Sequence, residues 1–213
     1  MSDSSSKEVI LKKIRKALSE STPLPFPQSE GTHSLYLPSQ KELEVQFAEE
    51  FGKLQGKFAF CLNAAELTVQ LNQLITEKTW AKLFCNEPVL KQLLAKTSFE
   101  HSFNNTTLID CDASITSCEN LVARTGSIVL SAASQSGRTV SVYAPIHICV
   151  AYTSQLVYDV KDALQLVKEK YHQQMPSLIS FATGPSRTAD IEKTLVTGVH
   201  GPKEVYVFLV DQP

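Results

Sequence analysis

The residues best suited to chemistry gather near the C-terminus, in Thr183-Gly184-Pro185-Ser186-Arg187-Thr188-Ala189-Asp190-Ile191-Glu192 and, a few residues on, Thr197-Gly198-Val199-His200-Gly201-Pro202. A Gly-Pro-Ser turn that follows a buried strand and enters a helix would aim backbone N–H groups at a ligand, and such groups attract anions. Ser186 or Thr188 would cap that helix. Arg187 offers a fork of donors suited to carboxylate or phosphate, and Asp190 can fix Arg187 or hold a ligand hydroxyl. The plainer alternative is a capped loop in which Arg187 and Asp190 pair. His200 stands between glycines at the apex of a sharp turn and titrates near neutrality, which suits a general acid or base. A structural hydrogen bonder fits it equally. His200 and Asp190 are therefore the candidates for proton transfer, and Gly184, Ser186, Arg187, Thr188, Asp190, Gly198, His200 and Gly201 are candidates for holding a ligand.

A third group adds Thr125, Gly126 and His147, from Arg124-Thr125-Gly126-Ser127 and Pro145-Ile146-His147, with Gly137-Arg138 between them. Turn glycines, a solvated Arg138 and a packed His147 are the competing readings. A Ser-His-Asp set drawn from Ser186, His147 or His200, and Asp190 has no nucleophile elbow behind it. No GxGxxG, HExxH or GxSxG sequence occurs, and Gly52, Gly56 and Lys57 miss the Walker A spacing. Cys61, Cys85, Cys111, Cys118 and Cys149 show neither CxxC nor a Cys/His cluster, so reduced thiols are expected, with no iron–sulfur ligation. No carboxylate stands at ligand spacing beside His147 or His200, and neither metal nor cofactor is expected.

The elements that must position these residues follow from pattern. The 213 residues fit one domain with a small appendage, and twenty basic against twenty-two acidic residues leave no broad footprint for nucleic acid. The Met-Ser-Asp-Ser-Ser-Ser start lacks a secretory signal, and no apolar stretch is long enough for a membrane span, so a cytoplasmic protein is expected. Ile10, Leu11, Ile14 and Leu18 form one stripe of an amphipathic helix over 7–18, with Ser5 and Glu8 as a capping box. Pro23, Pro25, Pro27 and Pro38 mark an extended linker after it. Residues 1–38 thus read as a helical arm, docked on its own or a neighbouring subunit, which leaves a homo-oligomer open.

The compact domain is expected at 39–213. Ser39 and Glu42 predict a second capping box and a helix of roughly fifteen residues carrying Leu43, Phe47, Phe51 and Leu54. Apolar runs at 58–62 and 81–85 alternate with helices opened by Asn63 and Pro88. Strand candidates follow at 107–109, 127–131, 139–143 and 147–152, some of them antiparallel, then a helix over 159–171 and strands at 178–181 and 204–210. The last run is apolar on both faces and reads as a buried central strand. The fold class is α/β: an open, mostly parallel sheet with helices on both faces. Ligands of such sheets collect beyond the carboxyl ends of the strands, which is where the C-terminal loops are expected to lie.

Taken together, Thr125-Gly126-Ser127, Pro145-Ile146-His147, the 184–192 block and Gly198-Val199-His200-Gly201-Pro202 closely resemble the lactate utilization protein C family, built on a LUD domain, over residues 40–211. Ser127 stands where the family pattern often has Thr, and the hydroxyl is retained. The resemblance implies a fold similar to the sugar-phosphate isomerase and CoA-transferase group. It further implies a role beside two iron–sulfur proteins in oxidising L-lactate to pyruvate, in a short type that lacks cluster-binding cysteines. Two functions follow as expectations. One is a non-redox component of L-lactate utilization whose C-terminal loops bind a small anionic metabolite or a partner segment. The other is an independent enzyme acting on a small phosphorylated or carboxylated metabolite.

Overall fold

A computed structural model describes residues 6–19, 39, 41–94, 103, 106–191 and 194–211. Two units are distinguished, Met1–Pro38 and Ser39–Pro213. The first contributes helix α1, Ser6–Ser19, with Glu8 in its first turn and Lys16 in its last, charges that suit the helix dipole at each end. Ser5 and the prolines of the expected linker lie outside the described residues.

The second unit runs α2 (Leu43–Lys53), β1 (Lys57–Cys61), α3 (Ala64–Lys78), β2 (Leu83–Cys85), α4 (Pro88–Leu94), β3 (Ala113–Thr116), β4 (Asn120–Val122), β5 (Ser127–Ser131), α5 (Val140–Tyr143), β6 (Ile146–Tyr152), β7 (Leu156–Val157), α6 (Val160–Tyr171), β8 (Ile179–Ala182), β9 (Arg187–Ile191), β10 (Thr194–Thr197) and β11 (Glu204–Val210). Five strands form a wholly parallel sheet in the order β1-β11-β6-β3-β2. Side chains alternate across a strand, and the central strands show it. Tyr206, Phe208 and Val210 of β11, with Ile146, Ile148 and Val150 of β6, pack under α3 and α4 beside Leu67, Leu71, Leu90 and Leu94. Val205, Val207 and Leu209, with Cys149 and Ala151, face the other way onto Phe47 and Phe51 of α2. Burial on both faces is why β11 reads as an unbroken apolar run.

The second face holds more than the helix that alternation alone predicts. Beside α2 it is covered by Leu121 of β4 and Ile128 of β5. These belong to a second, four-stranded sheet ordered β7-β4-β5-β8, in which β5 is antiparallel to both neighbours. Helix α6 covers the outside of that sheet through Ala163, against Val122 and Val129. Among the described residues no helix is long and apolar enough to cross a membrane.

Four local expectations are corrected. Helix α2 starts at Leu43 and spans eleven residues, with Glu42 at the N-cap and no side-chain cap, because the Ser39 hydroxyl turns to Gln46 Oε1 at 2.6 Å. Residues 107–109 enter a turn closed by Asp110 N–H to the Thr107 carbonyl at 3.2 Å, and the strand lies at β3. The 139–143 run is helix α5: Val140 and Ala144, four apart, are the buried pair, and the Thr139 carbonyl accepts from Val142 and Tyr143. Strand β8 sits at the edge of the second sheet and is half-buried, where a buried strand is expected before the Gly-Pro-Ser turn.

Candidate functional site

The segment after Gly184-Pro185-Ser186 is a strand and not the entrance to a helix. β9 pairs antiparallel with β10, setting Arg187 opposite Thr197 and Thr188 opposite Val196. Thr188 and Val196, partners across the hairpin, are β-branched, which favours a pleated surface over a helix. Asp190 lies on β9, and Glu192 lies outside the described residues. Among the described residues of this segment there is no helix N-terminus to hold an anion.

The hairpin is moored to the C-terminal end of α2. Arg187 Nη2 donates to the Leu54 carbonyl. Gly184 has φ +81°, and a Cβ there would lie 2.7 Å from that same oxygen. Gly126 (φ +60°) presses on the same helix, with a virtual Cβ 2.6 Å from the Phe51 nitrogen. The adjoining hydroxyls form a chain: Thr125 Oγ1 to Ser127 Oγ at 2.7 Å, and Ser127 Oγ to Thr183 Oγ1 at 2.8 Å. Gly126, Gly184 and Arg187 are thus brought together on backbone of their own chain, with Thr125 tied to the Ser127 hydroxyl beside them.

Ser186, Gly198 and Gly201 form a second cluster. Ser186 N–H donates to the Pro202 carbonyl at 2.9 Å, and Gly198 N–H to the Ser186 carbonyl at 3.0 Å. Lys203 N–H donates to the Pro145 carbonyl at 2.7 Å. A Cβ on Gly201 would meet Ser186 Cβ at 2.9 Å, so only glycine allows this approach. The contacts wall a cleft of about 440 Å³ lined by Tyr143, Pro145, Gly198, Val199, His200 and Lys203 among others. His200 and Lys203 are both exposed there. Lys203, not singled out by sequence, directly follows the Gly201-Pro202 pair.

This cleft lies at the amino ends of the parallel strands, since Pro145 precedes β6 and Lys203 precedes β11. The expectation that these loops overhang the carboxyl ends is therefore corrected. The carboxyl-end crevice is elsewhere, a cavity of about 310 Å³ whose lining includes Glu87, Ser117, Cys118, Glu119 and Lys170. Glu87, just past β2, accepts from Ser117 N–H at 3.1 and 3.2 Å and from the Ser136 hydroxyl at 2.5 Å. Glu119, past β3, accepts from Ser131 Oγ (2.5 Å), Tyr171 OH (2.7 Å) and Lys170 Nζ (2.7 Å). Burial pushes the Glu119 carboxyl up, but those three hydrogen bonds outweigh it and hold the group below its ordinary value. The signal that could have found them was position, a polar residue just past the carboxyl end of a parallel strand.

His147 is not a loop residue. It sits fully buried on β6, with Nε2 2.9 Å from Thr116 Oγ1 and Nδ1 without a hydrogen-bond partner. Burial lowers its pKa to about 4, so the ring is neutral at physiological pH. It therefore joins neither Ser186 nor His200. Elsewhere, Arg124 and Asp159 form a two-bond pair at 3.1 and 3.0 Å, and Arg138 donates to Ser177 Oγ at 2.6 Å.

Comparison with known proteins adds to this geometry. A family model described as the LUD domain matches residues 29–210. An uncharacterised protein of Neisseria meningitidis serogroup B is 24% identical, over 97% of this chain and 94% of its own length. Lactate utilization protein C of Anoxybacillus flavithermus is 38% identical over 43% of this chain and 40% of that protein. Its counterpart in Bacillus subtilis is 36% identical over 46% and 42%. The matched stretch spans less than half of those two relatives. The crystal structure of a DUF162 family protein from Deinococcus radiodurans superposes with a TM-score of 0.61 at 20% identity, covering 82% of this chain and 99% of that one. At that identity the likeness speaks for the fold.

Proposed function

The chain belongs to the LUD domain family, and on that premise we propose that it is a cytoplasmic, non-redox component of L-lactate utilization, acting beside two iron–sulfur partner proteins that carry L-lactate to pyruvate. Its part is to bind a small carboxylate, or an anionic segment of a partner, in the cleft between the turn before β6 and the turn before β11. The observation that carries this reading is the way the two sequence blocks fold onto each other, Ser186 bonded to Pro202 and to Gly198, so that His200 and Lys203 line one cleft. An ammonium and an imidazole lining one cleft suit an anion, and about 440 Å³ admits lactate or pyruvate with room to spare.

A non-redox role agrees with where the thiols lie. Iron–sulfur ligation needs convergent thiolates, whereas Cys61 and Cys85 pack on one face of the parallel sheet and Cys149 on the other. The role of Arg187 shifts from ligand anchor to strut, since its guanidinium already holds the Leu54 carbonyl.

The test is lactate-dependent dye reduction by the two purified iron–sulfur partners, with and without this chain. Activity should require the chain, and Lys203→Ala together with His200→Ala should lower it about tenfold or more, the loss of one charge-assisted contact being worth about 1.5–3 kcal/mol. Equal turnover by the partners alone would overturn the reading.

A further inference from the structure

A pair of thiols at the carboxyl end of β3 has no part in the cleft just described. Cys149, in the middle of β6, is fully buried, while Cys118, in the short loop between β3 and β4, is only partly buried and lines the carboxyl-end crevice. Register brings them together. Thr116 is the partner of Cys149 in the β3–β6 pairing, so Cys118 follows two residues on, and its side chain packs against the same hydrophobic cluster that contains Cys149.

We propose that Cys118 and Cys149 form a peroxide-reactive dithiol, in which Cys118 is the thiol attacked from the crevice and Cys149 is the thiol that resolves it to a disulfide. In the first step the Cys118 thiolate attacks one oxygen of a hydroperoxide. The O–O bond breaks, an alcohol or water leaves, and Cys118 becomes a sulfenic acid. In the second step the Cys149 sulfur attacks the Cys118 sulfur, the S–S bond forms, and the departing hydroxide leaves as water with the Cys149 proton. The two thiols together give two electrons to the hydroperoxide, and no further reductant is needed.

The division of labour follows from access. An external oxidant reaches sulfur according to exposure, which favours the partly exposed, crevice-lining Cys118 over its fully buried neighbour. Contact with Cys118 and burial push the Cys149 thiol well up, so Cys149 is inert to outside reagents. Its attack on Cys118 is intramolecular, and proximity offsets a low thiolate fraction. The other buried thiols supply an internal control. Burial pushes Cys61, Cys85 and Cys111 up to about 11, and Cys111 already donates to the Leu108 carbonyl at 3.2 Å. A bridge would tie the loop carrying Ser117 and Glu119 to the middle of β6, so oxidation would reshape the crevice wall.

The experiment treats the full reduced chain with stoichiometric hydrogen peroxide, counts free thiols, and maps peptides without reduction. Two of the five cysteines should be lost together, in one Cys118–Cys149 linked peptide. Cys118→Ser, at a partly exposed loop position that should not disturb folding, should slow thiol loss about tenfold or more. In Cys149→Ala, Cys118 should persist as a sulfenic acid that dimedone traps. If the buried substitution prevents folding, the linked peptide and the Cys118→Ser rate decide alone. Uniform loss of all five thiols, oxidation of Cys118 to sulfinic acid without the linkage, or an unchanged rate in Cys118→Ser would each overturn the proposal.

Discussion

His147 makes a pH dependence traceable to one side chain. Its ring is sealed between the strands, one nitrogen against Thr116 and the other unpaired, and burial lowers its pKa from 6.5 to about 4. A folded-state value below the unfolded one means that the unfolded chain takes up the proton first. The stabilisation is therefore full above about pH 6.5 and is lost as pH falls towards 4, on the order of 3 kcal/mol at 1.36 kcal/mol per pH unit. Urea unfolding at pH 7 and pH 4.5 should show that loss, and His147→Gln, which retains polar atoms facing Thr116 without an ionisable ring, should shrink it. A slope unchanged in the variant would assign the pH dependence to other groups.

At the scale of elements, the decisive contact is between the C-terminal end of α2 and the turns leaning on it. Phe47 and Phe51 stack at 5.3 Å between ring centroids beneath the second sheet. Gly126 lies against the helix backbone at Glu50 and Phe51, and Gly184 and Arg187 close over Leu54 at its end. Gly126→Ala combines a left-handed φ with a Cβ 2.6 Å from the Phe51 nitrogen, and backbone cannot yield as a flexible side chain can. The substitution should cost about 2 kcal/mol or more, seen as a fall in the thermal midpoint. Gly137→Ala is the matched control, since its φ is +62° and a Cβ there meets nothing within 4 Å. It isolates the conformational cost from the clash. Equal losses in the two variants would mean that α2 does not resist the turn.

For the whole molecule, the hydrophobic clusters among the described residues are assembled from positions within 43–210, inside the second unit. A chain beginning at Ser39 should therefore fold, with an unfolding free energy within roughly 0.5 kcal/mol of the full chain, the range usual for changes outside a core. Urea denaturation of both chains checks this, and a loss of several kcal/mol would show that the arm contributes to the core.

Sequence by itself determined the alternation of strands and helices around the parallel sheet, because strands buried on both faces must be written as apolar runs and helices as 3.6-residue stripes. Asn63 at a helix start, where its side chain accepts from Glu66 N–H at 3.0 Å, β11 as an interior strand buried on both faces, and the family blocks themselves were equally legible. What sequence did not determine was which residues meet. Whether 187–191 forms a helix or a strand depended on the partner that β10 supplies, and whether 139–143 extends or coils depended on which of its side chains found a core. Only tertiary structure decided that the C-terminal loops lie at the amino ends of the strands, that His147 is interior while His200 is not, and that Cys118 meets Cys149. These are long-range pairings, which local pattern does not encode because register between distant strands is fixed by packing across the sheets.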